Sequence, residues 1–124
     1  MRKTVAIVDD DPAALAVLGG LVDALGYRPL CFCDPADFLA SDRARTVDVL
    51  VADIRLRDLS GIVLHRRLRA EGLDVPTILV TAYPDEATKR RALRAGFQGY
   101  LAKPVVPEEL LACLRQATAQ NGPD

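Results

Sequence analysis

Asp48-Val49-Leu50-Val51-Ala52-Asp53 decides the fold. Four apolar residues, two of them β-branched, run straight into a carboxylate. A run this short and this continuously apolar reads as a strand buried on both faces, as in a parallel sheet. Its closing aspartate then stands at the C-terminal strand end, where open α/β sheets bind ligands. Two other runs end alike: Val5-Ala6-Ile7-Val8 leads into Asp9-Asp10-Asp11, and Thr77-Ile78-Leu79-Val80 leads into Thr81. Three strand ends thus offer oxygen ligands to one sheet edge, which suggests a divalent cation and a reactive aspartate.

Outward from this centre, helical patterns alternate with the strands. Asp11-Pro12 opens a first helix, aspartate as N-cap and proline at the first helical position. Leu15, Leu18, Leu21, Val22 and Leu25 follow at helical spacing, and Gly26 supplies the stop. Gly19-Gly20 inside it costs about 1 kcal/mol per glycine relative to alanine, for which close packing on the sheet is one reason. Residues 28–33 form a short strand, with Cys31 and Cys33 on one face and Leu30 and Phe32 on the other. The two cysteines read as small buried apolar residues.

Asp34-Pro35 opens a second, short helix to about Ser41, anchored by Phe38 and Leu39, and 42–46 is a polar connection. After the loop 54–61, a third helix carries Ile62, Leu64 and Leu68, with Arg66, Arg67 and Arg69 facing water. His65, the single histidine, reads as a solvated helical position. Residues 85–95 form a basic helix (Lys89, Arg90, Arg91, Arg94) whose apolar side is alanine with Leu93. A fifth strand, Gly99-Tyr100-Leu101-Ala102, runs into Lys103-Pro104. The last helix starts near Pro107, places Glu108 and Glu109 where the helix dipole favours acids, and buries Leu110, Leu111 and Leu114. Residues 1–120 read as one domain and 121–124 as a frayed tail or the start of a linker.

Five strands alternating with five helices make a doubly wound parallel α/β sheet with right-handed crossovers. That topology alone gathers Asp9, Asp10, Asp53, Thr81 and Lys103 at one edge. Crowded carboxylates favour a hard cation with oxygen ligands, and magnesium is the expected ion. A carboxylate beside it can attack phosphorus to form an acyl phosphate. Lys103 adds positive charge and Thr81 a hydroxyl for a phosphoryl oxygen, so every role for phosphoryl transfer to an aspartate is filled.

Composition excludes other classes. Sixteen basic and seventeen acidic residues give a formal charge of -1, against the strong positive charge of nucleic-acid-binding domains. No apolar run approaches the roughly 20 residues of a bilayer span, and the N-terminus carries no secretory hydrophobic region. Three cysteines without C-x-x-C spacing fit reduced thiols in a cytoplasm.

Val8-Asp9-Asp10-Asp11, Asp53 with Gly61 eight residues on, Thr81-Ala82 and Tyr100-Leu101-Ala102-Lys103-Pro104 together resemble the receiver domain of a bacterial two-component response regulator, over about residues 4–120. The subfamily whose receivers precede a helix-turn-helix DNA-binding domain is the most similar. The resemblance implies a flavodoxin-like sheet of order 2-1-3-4-5. It makes Asp53 the phosphorylation site, supplied by a histidine kinase or phosphotransfer protein. It gives Mg²⁺ to Asp10 directly and Asp9 mainly through water, with Asp53 and the Arg55 carbonyl. Thr81 and Tyr100 match the switch pair, Lys103 the phosphate-pairing lysine, and Lys103–Pro104 a cis peptide. The face built from the fourth helix, fifth strand and fifth helix would control a dimer or effector, without direct nucleic-acid or membrane contact by this domain.

One departure stands out: where receivers commonly carry Met-Pro after the acceptor, this chain has Leu56-Arg57, so its loop lacks a restraint that proline gives. Two other classes fit less well. A haloacid-dehalogenase-like phosphatase needs an acid at position 55, which is arginine. A flavodoxin-like electron carrier needs a phosphate cradle where Asp9-Asp10-Asp11 would repel phosphate.

Overall fold

The computed structural model describes residues 2–56 and 59–120. Five strands, β1 (Thr4–Val8), β2 (Arg28–Phe32), β3 (Val49–Asp53), β4 (Thr77–Thr81) and β5 (Gly99–Ala102), pair in parallel in the order β2-β1-β3-β4-β5. Between and after them come α1 (Pro12–Ala24), α2 (Pro35–Ala40), α3 (Gly61–Ala70), α4 (Glu86–Arg94) and α5 (Pro107–Gln120). The doubly wound sheet expected from the alternating pattern is present. The polar connection at 42–46 is a 3₁₀ turn over Asp42–Arg45.

Strand alternation divides the core. Val5, Ile7, Val49, Val51, Ile78 and Val80 point to one face and pack with Leu18 and Val22 of α1 and Leu110 and Leu114 of α5. Ala6, Val8, Leu50 and Ala52 point to the other, against Phe38, Leu64 and Leu68 of α2 and α3. A third cluster, Leu79, Ala92, Phe97 and Tyr100, lies under α4. Side chains two apart share a face of a strand, so the unbroken apolar runs fill both sides of the sheet.

The helix starts follow the sequence. Asp11 and Asp34 accept hydrogen bonds from Ala13 N and Ala36 N, with proline in the first turn of each helix. Gly26 ends α1 at φ 99°, a left-handed conformation that suits glycine. Of the paired glycines in α1, Gly19 has a packing reason, because a Cβ there would lie 3.0 Å from Cys31 Sγ; Gly20 has open space around it.

Four expectations need correction. Cys31 and Cys33 are exposed: β2 is an edge strand, and α1 covers Cys31 only in part, at Gly19. Leu93 is 46% exposed, and α4 anchors through Ala92 instead. Leu111 is half-buried beside the fully buried Leu110 and Leu114. His65 is half-buried and hydrogen-bonded, not solvated: its Nδ1 lies 2.9 Å from Thr77 Oγ1 and its ring 4.6 Å from that of Phe97.

Candidate functional site

The C-terminal ends of β1, β3 and β5 bring Asp9, Asp53 and Lys103 together. Asp9 is fully buried and Asp53 is 9% exposed. Lys103 Nζ donates to Asp53 Oδ2 at 2.6 Å and to Asp9 Oδ2 at 2.7 Å. The other carboxylate oxygens are also engaged: Asp11 N donates to Asp9 Oδ1 at 3.0 Å and Arg55 N to Asp53 Oδ1 at 2.8 Å. Carboxylates this deep need such partners, since an unpaired buried charge is costly. Burial opposes the Lys103 charge, but its hydrogen bonds to Asp53 and Asp9 and their charges outweigh that and lift its pKa above the ordinary lysine value.

The backbone fixes these groups. Lys103 N donates to Thr81 O at 2.8 Å, which ties the lysine to the end of β4. The Lys103–Pro104 peptide is cis, as expected. Gly61 accounts for its place in the motif: a Cβ there would sit 2.6 Å from the Asp53 carbonyl oxygen and 3.2 Å from Ala52 Cβ. The start of α3 therefore packs directly on β3. A bridge between Arg55 and Ser60 and the bond Gly61 N to Ile54 O (3.1 Å) close the intervening loop. Leu56 is buried in the α2–α3 core cluster, whereas Arg57, the position of the missing proline, lies outside the described residues.

The remaining site residues stand around this centre. Asp10 is half-buried next to Asp9. Thr81 is buried, and its Oγ1 accepts from Tyr83 N at 3.0 Å. Tyr100 is buried within the α4 cluster, where its hydroxyl accepts from Asp85 N at 2.9 Å. The Tyr100 ring is thus inside in this structure, tied to the N-cap of α4. Among the described residues, no three imidazole, thiol or carboxylate groups converge closely enough to hold a metal by themselves. The donor set is nonetheless one of hard oxygens: among the described residues Asp9 and Asp53 pair with the single ammonium of Lys103, and Asp10 follows directly, a charge balance that a divalent ion suits. One contact escaped the sequence reading: the Arg55 guanidinium lies over the Tyr83 ring, 4.7 Å from its centroid. Its only sequence signal is that each residue follows a site residue by two.

The buried aspartate–lysine pair at the edge of a 2-1-3-4-5 sheet is matched by family membership: the chain belongs to the response regulator receiver domain family, whose model covers residues 5–115. It is thereby a receiver domain of the two-component type. It is 33% identical over 116 residues to the response regulator protein TmoT of Ectopseudomonas mendocina, covering 94% of this chain and 53% of that one. The phosphate regulon transcriptional regulatory protein PhoB of Pseudomonas aeruginosa is 33% identical over 123 residues, 98% of this chain and 54% of PhoB. The BeF3-activated DrrB receiver domain superposes with a TM-score of 0.81 at 30% identity, over 96% of this chain and 99% of that one. The chain spans about half the length of these two curated relatives. Among the described residues no helix is long and apolar enough to cross a membrane.

Proposed function

We propose that this domain, residues 1–120, accepts a phosphoryl group on Asp53 from the phosphohistidine of a histidine kinase or phosphotransfer protein, in a Mg²⁺-dependent reaction. The observation that carries the reading is Lys103 Nζ, held 2.6 Å from Asp53 Oδ2 and 2.7 Å from Asp9 Oδ2. Among the described residues, this is the one place where a lysine joins two deeply buried carboxylates, and the central one stands at a strand end. In the transfer, an Asp53 carboxylate oxygen bonds to phosphorus as the phosphorus–nitrogen bond to the donor imidazole breaks, and the imidazole nitrogen keeps the electron pair. Lys103 stabilises the negative charge spread over the phosphoryl oxygens. The Thr81 hydroxyl is a donor for one of those oxygens, which requires it to turn from its present contact with Tyr83 N. Asp9, Asp10, Asp53 and the Arg55 carbonyl would hold Mg²⁺, which would neutralise charge on the transferred group.

Phosphorylation adds nearly two negative charges and acts through Thr81 and Tyr100 on the face of α4, β5 and α5. That face then controls an effector or a second copy of the chain. The domain signals rather than turns over a metabolite, and it works in the cytoplasm. Asp53→Asn is expected to abolish base-labile labelling by acetyl phosphate or a kinase, with borohydride trapping mapping the label in the parent to Asp53. A label mapped to another aspartate overturns the assignment. By titration, Asp10→Asn is expected to weaken Mg²⁺ binding, since a ligand and its charge are removed together; unchanged affinity removes Asp10 from the metal site.

A further inference from the structure

The other edge of the sheet, where the strands begin, also carries a polar cleft. β4 starts there at Thr77 and β5 at Gly99, while α3 ends at Ala70 and α4 at Arg94. Between the α3–β4 connection and the α4–β5 turn lies a cavity of about 350 Å³, with His65, Arg69, Asp74 and Gly96 among its lining residues. The acidic site is at the opposite ends of these strands, so the mechanism above does not use this cleft. Its volume is at the small end of the roughly 300–1,000 Å³ of small-molecule sites.

Three side chains of different chemistry face this cavity. Thr77 Oγ1 donates to Val75 O at 3.0 Å and so accepts from His65 Nδ1 at 2.9 Å. The imidazole is left with Nε2 as an unprotonated acceptor. Burial first, then the Arg69 charge, lower the His65 pKa, with Asp74 opposing them, so the ring is neutral at pH 7. Arg69 follows His65 by one helical turn, and Asp74 lies in the α3–β4 connection. Both are exposed and line the same cavity. Yet the ion pairs among the described residues join Arg2 to Asp23 and Lys103 to Asp9 and Asp53, and include neither of them. An acid and a base that share a cavity without closing on each other suit a ligand that carries both charges. The C-terminal ends of α3 and α4 add the negative ends of their dipoles, which favour its positive group. We propose that this cleft binds a small zwitterion of the α-amino acid class with a neutral hydrogen-bond donor on its side chain. The carboxylate goes to the Arg69 guanidinium, the ammonium to Asp74, and the side-chain donor to His65 Nε2.

The test titrates the whole chain with free L-serine, L-threonine, L-asparagine and L-glutamine by calorimetry. NMR of the backbone amides of residues 95–98 and of the His65 ring locates the site. At least one of the four is expected to bind, with shifts centred on those groups. For the tightest of them, the N-acetyl derivative lacks the ammonium and the C-terminal amide lacks the carboxylate. Each is expected to bind at least about tenfold more weakly, the size of one charge-assisted hydrogen bond. Arg69→Gln and Asp74→Asn should each weaken binding by a similar factor. Both positions are exposed, so their unfolding midpoints should stay with the parent's and keep folding out of the comparison. No saturable binding of any of the four at millimolar concentration overturns the proposal. So does parental affinity in either variant, acetate binding as tightly as the amino acid, or shifts that leave residues 95–98 and His65 unmoved.

Discussion

α5 and α4 lie beyond opposite faces of the last two strands, yet the chain anchors them differently. α5 drives Leu110, Leu114 and Ala117, all fully buried, into the largest core cluster. Burial of a leucine side chain contributes about 1.5–3 kcal/mol, so α5 is held by non-directional apolar contact. α4 buries one residue, Ala92, and turns Leu93 outward. What fixes α4 is polar and lies at its ends. Asp85 Oδ2 accepts from Thr88 N at 3.2 Å and from the Thr88 hydroxyl at 2.6 Å, while Tyr100 Oη accepts from Asp85 N. Phe97 N closes the other end on Ala92 O at 3.1 Å. Polar end contacts can be exchanged for others, whereas a buried leucine cannot leave the core without opening a cavity. The lightly held helix is the one that follows β4 and Thr81.

The strongest way to break this comparison is to truncate matched leucines. Leu114→Ala is expected to cost about 2–5 kcal/mol of unfolding free energy through lost burial and the cavity left behind. Leu93→Ala, at a 46% exposed position, should stay within about 0.5 kcal/mol of the parent. Urea unfolding of the two variants decides it. Equal losses would mean that α4 is anchored as firmly as α5.

Much of this was legible beforehand. The apolar run 49–52 ending in Asp53 identified a doubly covered central strand, and Asp-Pro pairs located two helix starts, because both signals are local. The cluster of Asp9, Asp53 and Lys103 was legible only through topology, which places distant strand ends side by side. The exposure of Cys31 and Cys33 was not, since alternation tells which face a residue takes and not how completely a helix covers it at the sheet edge. Leu93 misled for a related reason: in a helix with one buried alanine, the apolar stripe is too narrow for periodicity to orient it. The Arg55–Tyr83 contact depends on side-chain reach between two loops, for which the sequence has no period at all.

A smaller effect sharpens the contrast from the α4 side. Where α5 has leucines, the junction of α3, β4 and the α4–β5 turn has His65, whose ring packs on Phe97. The Thr77 hydroxyl donates to Val75 O at 3.0 Å, so it accepts from His65, which must carry its proton on Nδ1. Burial first, then the Arg69 charge, push the imidazole below its ordinary value of 6.5, and Asp74 partly opposes them. The folded state therefore prefers the neutral ring. Its contribution to stability is complete above about pH 6.5 and is lost as pH falls from there through the lower folded value. His65 is the chain's single histidine, and no other side-chain type ordinarily changes charge between about pH 5 and 8. Unfolding midpoints of the parent should fall from pH 8 to pH 5 by more than those of His65→Gln, whose amide can still donate to Thr77 but does not titrate. The loss in the parent should be smaller than that from Leu114→Ala, because the ring is only half-buried and water screens its charge. Parallel pH profiles for parent and variant would show that protonation of His65 costs the fold nothing, and that the α4 side is no more sensitive to acid than the leucine-packed side.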